Sequence, residues 1–415
     1  MKNHRDIAEE LDLFHSEPQG PGMAFWHPRG WRMFRTVKNH IRAAYEAEGF
    51  QEVATPQLLK RELWETSGHW EKYADDMFVG AGFGDEPEYA LKPMSCPAHI
   101  LLYKRGVRSY KSLPLRLFEF GSVHRNERSG ALNGLMRLRQ FTQDDAHVFC
   151  RWDQVSDEIQ AFLRRAERVY ADYGYGRPQV FISTRPQRDY FGAPEDWERA
   201  ELMLAAACEA AGAEFVRQEG EGAFYGPKIE LALKDGQGRQ WQMGTIQLDF
   251  NMPERFDLHY IDAAGERRRP VILHQAVYGS IERWIGVLLE SYQAALPAWV
   301  HPQPVVLASV GQDSVAYCES VGDLLRRHGV PVEMDLDDVS LAKKMKLLRR
   351  SRTPVVLIAG AQEMADNSIV VRRRGGEQAL ASREDIVAIV REALAVANSV
   401  DAVGRESAHE TALAD

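Results

Sequence analysis

The feature that most constrains the fold is a pair of segments near the middle of the chain that alternate apolar and polar residues. Residues 115–125 (LRLFEFGSVHR) alternate with a period of two, which is typical of a half-buried antiparallel strand. A loop rich in Gly, Ser and Asn follows at 126–134, and residues 135–149 have the pattern of a returning strand. The sequence therefore predicts a long β-hairpin with a polar loop, set in an antiparallel sheet.

Helix and strand patterns on both sides of this hairpin indicate a larger fold. Apolar residues recur every three or four positions at 31–48, 153–173 and 194–211, which predicts amphipathic helices. The other predicted elements of this part are strands at 50–56, 179–184, 228–233 and 239–250, and a strand that leads into a long helix over 274–296. The segment 301–304 (HPQP) has two prolines in four residues and predicts a linker.

Beyond the linker, strands alternate with helices, which is typical of a small α/β domain. The predicted strands are VVLASV, PVEMDL, PVVLIAG and SIVVRRRGG, and the predicted helices are 314–328, 341–350 and 383–397. The expected fold class is thus an α+β domain over residues 1–300, with an antiparallel sheet flanked by helices, and an α/β domain over 301–400. Residues 401–415 are polar, and we expect them to form a disordered tail.

Charge and cysteine content narrow the class of protein. The chain has 51 Lys plus Arg against 60 Asp plus Glu, a formal net charge of −9, which excludes a basic surface over the whole molecule but allows a local basic patch. Its four cysteines are widely spaced and form no CxxC pair, which indicates a reducing compartment. The sequence contains neither the apolar core of a signal peptide nor a run of about 18 apolar residues. We therefore expect a cytoplasmic protein without a membrane partner.

One candidate site lies at the end of the first hairpin strand. Arg125 and Glu127 are two positions apart and therefore project from the same face of a strand. An arginine there can bind a phosphate or a carboxylate through two hydrogen bonds, and a glutamate can accept a hydrogen bond from an amino group. On the sequence alone, the alternative is a surface ion pair.

Two further groups of residues could carry chemistry. Residues of the types that bind zinc lie near the ends of predicted strands, namely Cys96, His147 and His274. Three protein ligands would leave a coordination position on the zinc ion open for substrate. Isolated structural or surface histidines are the alternative. In residues 279–290, small residues open a helix whose first turns contain Arg283, so the helix N-terminus and the arginine predict an anion site. An amphipathic helix with one solvated arginine is the alternative there.

Taken together, these segments resemble the signature motifs of an enzyme family. GSVHRNERSG with LMRLRQFTQDDAH resembles motif 2 of the class II aminoacyl-tRNA synthetases, and GSIERWIG resembles motif 3. GWRMFR with GFQEVATP resembles motif 1, which closes at Pro56. The wording of SGHWEKYADDMF, KPMSCPAH, GEGAFYGPKIE and VILHQAVYGS is similar to that of the threonyl-tRNA synthetases. This resemblance extends over residues 4–400 and is most specific up to residue 300.

The resemblance implies a threonine–tRNA ligase, which activates L-threonine with ATP and transfers it to the 3′ end of threonine tRNA. Arg125 matches the residue that binds the α-phosphate of ATP, and Glu127 matches the one that reads the adenine amino group. Arg137 and Arg283 match the pair that binds the γ-phosphate, a role that Mg²⁺ would share. The other matched residues are Lys228, Gln143 and His69 in catalysis, Gln242 at ATP, and Asp145, Tyr225, Gln247 and Met94 at the amino-acid substrate. Within this set, His69 matches the residue that assists proton removal at the terminal ribose of tRNA.

The resemblance also implies a zinc cofactor. Cys96, His147 and His274 match the family's ligands to a zinc ion that binds the amino and hydroxyl groups of threonine. Valine lacks that hydroxyl and should be rejected, whereas serine lacks one methyl group, worth only about 1–3 kcal/mol, and should leak through. We expect no editing within this chain, because it starts at the catalytic domain. The resemblance further implies a homodimer formed through residues 31–56.

The C-terminal domain departs from the family pattern. In the stretch 335–344 (DLDDVSLAKK), Asp337 and Ser340 stand where the family carries an arginine and a lysine, and an acidic group repels phosphates. A basic run follows, consisting of Lys343, Lys344, Lys346, Arg349, Arg350 and Arg352. We therefore expect this domain to contact RNA, while the sequence leaves the choice of anticodon open.

Other functions stay open on the sequence. A paralogue that activates threonine or a related amino acid, and passes it to a non-tRNA acceptor such as a carrier protein, is favoured by the altered stretch. A non-catalytic regulator or RNA-binding protein is disfavoured by the intact motif arginines and metal ligands. A zinc hydrolase is disfavoured because no helix motif supplies its general base.

Overall fold

The computed structural model describes residues 2–82, 84, 88–235 and 238–396. The chain folds into two compact units. The described residues of the larger unit fall within 16–24 and 38–287, and those of the smaller unit within 2–15, 25–37 and 288–396. The tail predicted at 401–415 lies outside the described residues, and the predicted domain boundary at residue 300 stays a prediction.

The elements are numbered in chain order. The helices are α1 (His4–Leu11), α2 (Pro28–Ala47), α3 (Arg61–Ser67), α4 (His69–Tyr73), α5 (Cys96–Tyr103), α6 (Val155–Asp172), α7 (Pro194–Ala210), α8 (Met252–Arg255), α9 (Ile281–Tyr292), α10 (Val315–Arg327), α11 (Leu341–Arg350), α12 (Ala361–Ala365) and α13 (Ile386–Ala393). The strands are β1 (Phe14–His15), β2 (Phe25–Trp26), β3 (Gln51–Glu52), β4 (Leu58–Lys60), β5 (Val79–Gly80), β6 (Tyr89–Leu91), β7 (Leu115–His124), β8 (Gln140–Cys150), β9 (Gln179–Ser183), β10 (Phe215–Gln218), β11 (Lys228–Lys234), β12 (Gln240–Asp249), β13 (Tyr260–Ile261), β14 (Arg267–Arg268), β15 (Val271–Ala276), β16 (Val305–Ser309), β17 (Val332–Asp335), β18 (Val355–Ala359), β19 (Ser368–Arg373) and β20 (Gln378–Ser382).

An eight-stranded sheet forms the centre of the larger unit. Its strand order is β10-β9-β11-β12-β15-β8-β7-β3, and all neighbours are antiparallel except the two outermost pairs. The predicted hairpin is present as β7 and β8, paired from Leu115 with Phe149 to His124 with Gln140. The returning strand begins at Gln140 rather than at residue 135, because Leu135 and Met136 are buried within the connecting loop and do not continue the ladder.

Helices cover this sheet as their sequence periodicity predicts. The buried residues of α6 recur at helical spacing, for example Ile159, Phe162 and Ala166, and α6 packs on α7 and β12. The helix predicted over 274–296 is wrong at its start. Residues up to Ala276 form the buried strand β15, a turn follows, and α9 begins only at Ile281.

A five-stranded mixed sheet forms the centre of the smaller unit. Its order is β17-β16-β18-β19-β20, with the first three strands parallel and the last two antiparallel. The predicted strand SIVVRRRGG ends at Arg373, because Gly375 and Gly376 have positive φ and turn the chain into β20, which the sequence analysis missed. Lys344, expected within a basic run, is buried and donates hydrogen bonds to the carbonyls of Ser309 and Asp335.

The described part of the chain contains no helix that is both long enough and apolar enough to span a bilayer. All four cysteines lie within that part, where they are buried and form no disulfide.

Candidate active site

Three side chains that could bind a metal ion meet in the larger unit. Cys96 is the first residue of α5, while His147 on β8 and His274 on β15 occupy facing positions of an antiparallel pair. Their candidate ligand atoms lie within 4.8 Å of one another and all three residues are buried. No other group of His, Cys, Asp and Glu in the described residues has this geometry.

Hydrogen bonds fix which nitrogen of His274 can bind a metal ion. The Asp249 carboxylate lies 2.8 Å from Nε2 of His274, so Nε2 carries the proton and Nδ1 is left with a lone pair. That Nδ1 lies 3.0 Å from Nε2 of His147. Burial holds the pKa of His147 well below its ordinary value, so this ring is neutral. Burial, with the charges of Asp145 and Asp249, raises the pKa of the Cys96 thiol. A bound cation would reverse that effect, because the thiolate is the form that binds metal. The donor set fits zinc.

These residues line a cavity of about 290 Å³ that also contains the cationic groups. The lining side chains that the sequence analysis singled out for a site role are Met94, Cys96, Arg125, Gln143, Asp145, His147, Tyr225, Gln242, Gln247, His274 and Arg283. The structure thus brings eleven of the fifteen residues of the predicted site to one surface. The other four, His69, Glu127, Arg137 and Lys228, do not line the cavity.

Two arginines, Arg125 and Arg283, also line the cavity; they are called its arginine end, and the three candidate metal ligands its metal end. Arg125 donates a hydrogen bond to the Pro93 carbonyl, and its guanidinium lies 5.2 Å from the Phe141 ring centre. Arg283, in the first turn of α9, donates to the Met136 carbonyl at 3.0 Å. Burial lowers the pKa of Arg283, and the charges of Arg125 and Arg137 lower it further. Such a concentration of positive charge is suited to an anion such as a polyphosphate.

Other polar groups also line the cavity. Asp145 accepts a hydrogen bond from the Ser95 backbone N–H at 3.1 Å, and burial raises its pKa to about 6. The Tyr225 hydroxyl donates to the side-chain carbonyl of Gln247. A carboxylate, an amide and a hydroxyl that converge beside three metal ligands can bind a small amino compound.

Comparison of this chain with known proteins identifies its family. Residues 83–292 match the model of the tRNA synthetase class II core domain (G, H, P, S and T), and residues 304–393 match that of an anticodon binding domain. A threonine–tRNA ligase of Methylobacillus flagellatus is 46% identical over 376 residues, which are 91% of this chain and 59% of that protein. A crystal structure described as the RNA binding domain of threonyl-tRNA synthetase from Cryptosporidium parvum Iowa II is 37% identical, with a TM-score of 0.92. The match covers 96% of this chain and 100% of that one. The chain belongs to the threonyl-tRNA synthetase family.

A second solved structure agrees with this assignment. A putative threonyl-tRNA synthetase from Aeropyrum pernix is 30% identical, has a TM-score of 0.81, and covers 94% of this chain and 95% of that one. The fold class predicted from the sequence, a class II synthetase core with an anticodon-binding-type domain, is confirmed. The chain spans 59–62% of the length of the first curated threonyl-tRNA synthetase relatives that it matches.

The four predicted residues outside the cavity have identifiable partners or surroundings. Arg137 is paired with Glu127 at 2.9 Å, and its side chain is 54% exposed. Lys228 donates to Glu230 at 2.7 Å, and that carboxylate also accepts from Gln242. His69 is fully buried and 2.7 Å from the Ser67 hydroxyl, and burial lowers its pKa to about 3.

Sequence reasoning missed residues that hold this synthetase-family site in shape. Asp249 orients His274, although the two are 25 positions apart in the chain. Asp144 faces away from the cavity and accepts hydrogen bonds from the backbone N–H groups of Val277, Tyr278 and Gly279. The adjacent acidic pair Asp144–Asp145 was the available signal, because neighbouring residues on a strand serve opposite faces.

Proposed function

We propose that this chain catalyses ATP-dependent activation of L-threonine and transfer of the threonyl group to threonine tRNA. The observation that carries the proposal is that the Cys96, His147 and His274 cluster and the arginines Arg125 and Arg283 line one cavity. An amino acid held at one end and a triphosphate held at the other would place a carboxylate next to the α-phosphate. Membership of the family supports the same reaction.

The residues divide the work of adenylate formation. Arg125 and Arg283 would hold the triphosphate and stabilise charge as the carboxylate attacks the α-phosphorus and pyrophosphate leaves, with Mg²⁺ on the phosphates. Glu127 and Gln242 would contact the nucleotide, and Arg137 would turn from Glu127 to the γ-phosphate. Gln143 and Lys228 remain proposed catalytic contacts, although Lys228 is paired with Glu230 in this structure.

Threonine selection would take place at the metal end. A zinc ion bound by Cys96, His147 and His274 supplies a Lewis acid that can bind an amino group and a hydroxyl group together. Asp145 would accept hydrogen bonds from the substrate amino group, while Tyr225, Gln247 and Met94 line the remaining wall. In the later transfer step, the neutral His69 would assist proton removal from the ribose.

This arrangement predicts which other amino acids would be activated in place of threonine. Valine cannot supply the hydroxyl and should be rejected, whereas serine loses only one methyl contact, worth about 1–3 kcal/mol. We expect this chain to form seryl-tRNA at a measurable rate. Charging assays with radiolabelled serine and valine test this, and clean rejection of serine would show a correction step within the chain.

The smaller unit is the proposed tRNA-binding part. A recess of about 250 Å³ between α11 and the turn after β19 is lined by several arginines, namely Arg349, Arg352, Arg372, Arg373 and Arg374. These groups can attract a phosphate backbone despite the acidic stretch 335–344. Asp335 and Asp337 line a second cavity, of about 550 Å³, whose lining also includes Arg29 and Arg350.

A homodimer through residues 31–56 and a cytoplasmic location complete the proposal. Strand β3 is an edge strand of the main sheet, and a shallow cavity of about 400 Å³ lies beside it, lined by residues such as Gln51, Val53 and Leu117. An unpaired edge with apolar neighbours is suited to pairing with a second copy. The four unpaired cysteines agree with a reducing compartment. Sedimentation of the purified chain tests the dimer.

The decisive experiment pairs two assays on zinc-replete protein. One is threonine-dependent exchange of pyrophosphate into ATP, and the other is charging of transcribed threonine tRNA. We expect both to proceed. Exchange without charging would contradict transfer to tRNA and favour transfer to a carrier protein. Absence of both reactions would contradict the proposal that this chain is a threonine-activating enzyme.

A further inference from the structure

A buried chain of polar groups runs from the metal cluster into the interior. Nδ1 of His147 lies 2.8 Å from Nδ1 of His99, and Nε2 of His99 lies 3.8 Å from the Glu119 carboxylate. Glu119 in turn pairs with Lys92 at 2.5 Å and accepts from the Thr55 backbone N–H at 2.8 Å. His99, Glu119 and Lys92 are each at most 3% exposed, so these contacts operate away from bulk water.

This chain of contacts is compatible with two proton arrangements. In the first, His99 carries its proton on Nε2, facing Glu119, and its Nδ1 accepts from Nδ1–H of His147. Nε2 of His147 then has a lone pair and can bind a metal ion. In the second arrangement, His99 donates from Nδ1, and Nε2 of His147 carries a proton and cannot bind a metal ion. In the metal-free site the second arrangement lets Nε2–H of His147 donate to Nδ1 of His274 at 3.0 Å, so it is a bound cation that requires the first arrangement.

We propose that His99 is a positioning residue that accepts the Nδ1 proton of metal-bound His147 and thereby strengthens metal binding at the site. The inference rests on the proposed zinc site and adds a role that the three ligands do not explain. Helix α5 then contributes twice, because Cys96 supplies the sulfur ligand and His99, one turn later, orients a nitrogen ligand. On the other side, Asp249 performs the same task for His274. A carboxylate or carbonyl behind a metal-binding histidine typically changes metal affinity by about 10- to 100-fold.

The test compares zinc affinity in two substitutions of one residue. His99→Leu removes the acceptor, whereas His99→Asn places a side-chain oxygen near the position of Nδ1. Competition with a chromophoric chelator, with Zn²⁺ alone as the probe, should show about 10- to 100-fold weaker binding for His99→Leu. His99→Asn should retain most of the wild-type affinity. His301→Leu, at a buried histidine of the smaller unit, is the matched control and should bind zinc as the wild type does.

A second measurement does not depend on the stability of any variant. In zinc-bound wild-type protein with ¹⁵N-labelled histidine, the NMR shifts of His147 should report a proton on Nδ1 and those of His99 a proton on Nε2. The opposite tautomers would overturn the proposal, as would wild-type zinc affinity in His99→Leu. If the wild type itself bound no zinc, the zinc part of the proposed function would fail instead. Wild-type zinc binding without an effect at His99 would remove only this inference.

Discussion

The two ends of the cavity are organised in different ways. At the metal end, the ring nitrogens of His147 and His274 that face away from the cluster are engaged by buried partners, His99 and Asp249. At the arginine end, Arg125 and Arg283 rest on backbone carbonyls, while Arg137, which does not line the cavity, is more than half exposed. Metal coordination needs ligands that are held in a fixed geometry. A flexible triphosphate, by contrast, can be bound by cationic side chains that adjust their positions to it. We therefore expect substitutions at the metal end to act in an all-or-none manner and those at the arginine end to be graded.

The largest expected effect is that of Cys96→Ser. Loss of the thiolate should remove the zinc ion and lower threonine-dependent pyrophosphate exchange by about 1,000-fold or more, because the metal contributes several kcal/mol of binding and orientation. Metal content by mass spectrometry and exchange rates check this together. Cys208→Ser, at a buried cysteine of α7, serves as the control. Activity without bound metal would contradict the proposed substrate site.

Arg125→Ala should have the next largest effect. Removal of one preorganised cation beside the reacting phosphate typically costs about 100- to 1,000-fold in rate. Pyrophosphate exchange at saturating threonine and ATP measures it, while zinc content should stay unchanged. The control is Arg116→Ala on β7, the strand that ends just before Arg125; Arg116 pairs with Glu158 and does not line the cavity. A loss of only a few-fold would point to a regulator rather than an enzyme.

Arg137→Ala should be milder. The side chain is exposed and paired with Glu127, so its interaction with a phosphate is weakened by solvent and by the competing carboxylate. We expect about a tenfold rise in the KM for ATP with little change at saturation, as measured by exchange kinetics. An effect as large as that of Arg125→Ala would show that the arginine end is as rigid as the metal end.

The smallest effect concerns stability and pH. Burial raises the pKa of Glu282, next to Arg283, from 4.5 to about 7. The folded protein therefore keeps a proton that the unfolded chain releases, and stability should fall as the pH rises from about 4.5 to about 7. Glu282→Gln should flatten this part of the profile in urea titrations across that range. The exposed control Glu266→Gln should leave the slope unchanged, and an unaltered slope in both variants would refute the assignment.

The same comparison explains what the sequence could predict. The hairpin of β7 and β8 was predicted because its alternation is local, and the ligands His147 and His274 were singled out as residue types near strand ends. The partners Asp249 and Glu119 were not, because nothing in the sequence indicates that a carboxylate will face a histidine from a different element of the fold. His99 was within reach, since it lies three positions after Cys96 on a helix.

Errors in the predicted elements also have local causes. The helix predicted over 274–296 began too early because the buried strand β15 is apolar throughout most of its length, and periodicity alone does not separate such a strand from a buried helix. Helix α1 was missed because it has only eight residues, although Asn3 and Asp6 form a capping box at its start. Strand β20 was missed because it depends on pairing with β19 rather than on its own composition.

Because the side chains of β8 point alternately to two faces of the sheet, the pairing register of this strand decides which of them reach the cavity. Gln143, Asp145 and His147 line the cavity, while Asp144 holds the turn before α9 from the opposite face. If β8 paired one residue out of register, His147 would point to the opposite face of the sheet and Asp144 would point into the cavity. The turn before α9 would then lose its hydrogen bonds to Asp144. A molecule that is trapped during folding with a shifted hairpin should therefore be inactive. Active-site titration of refolded protein would then count only the molecules whose hairpin has the correct register.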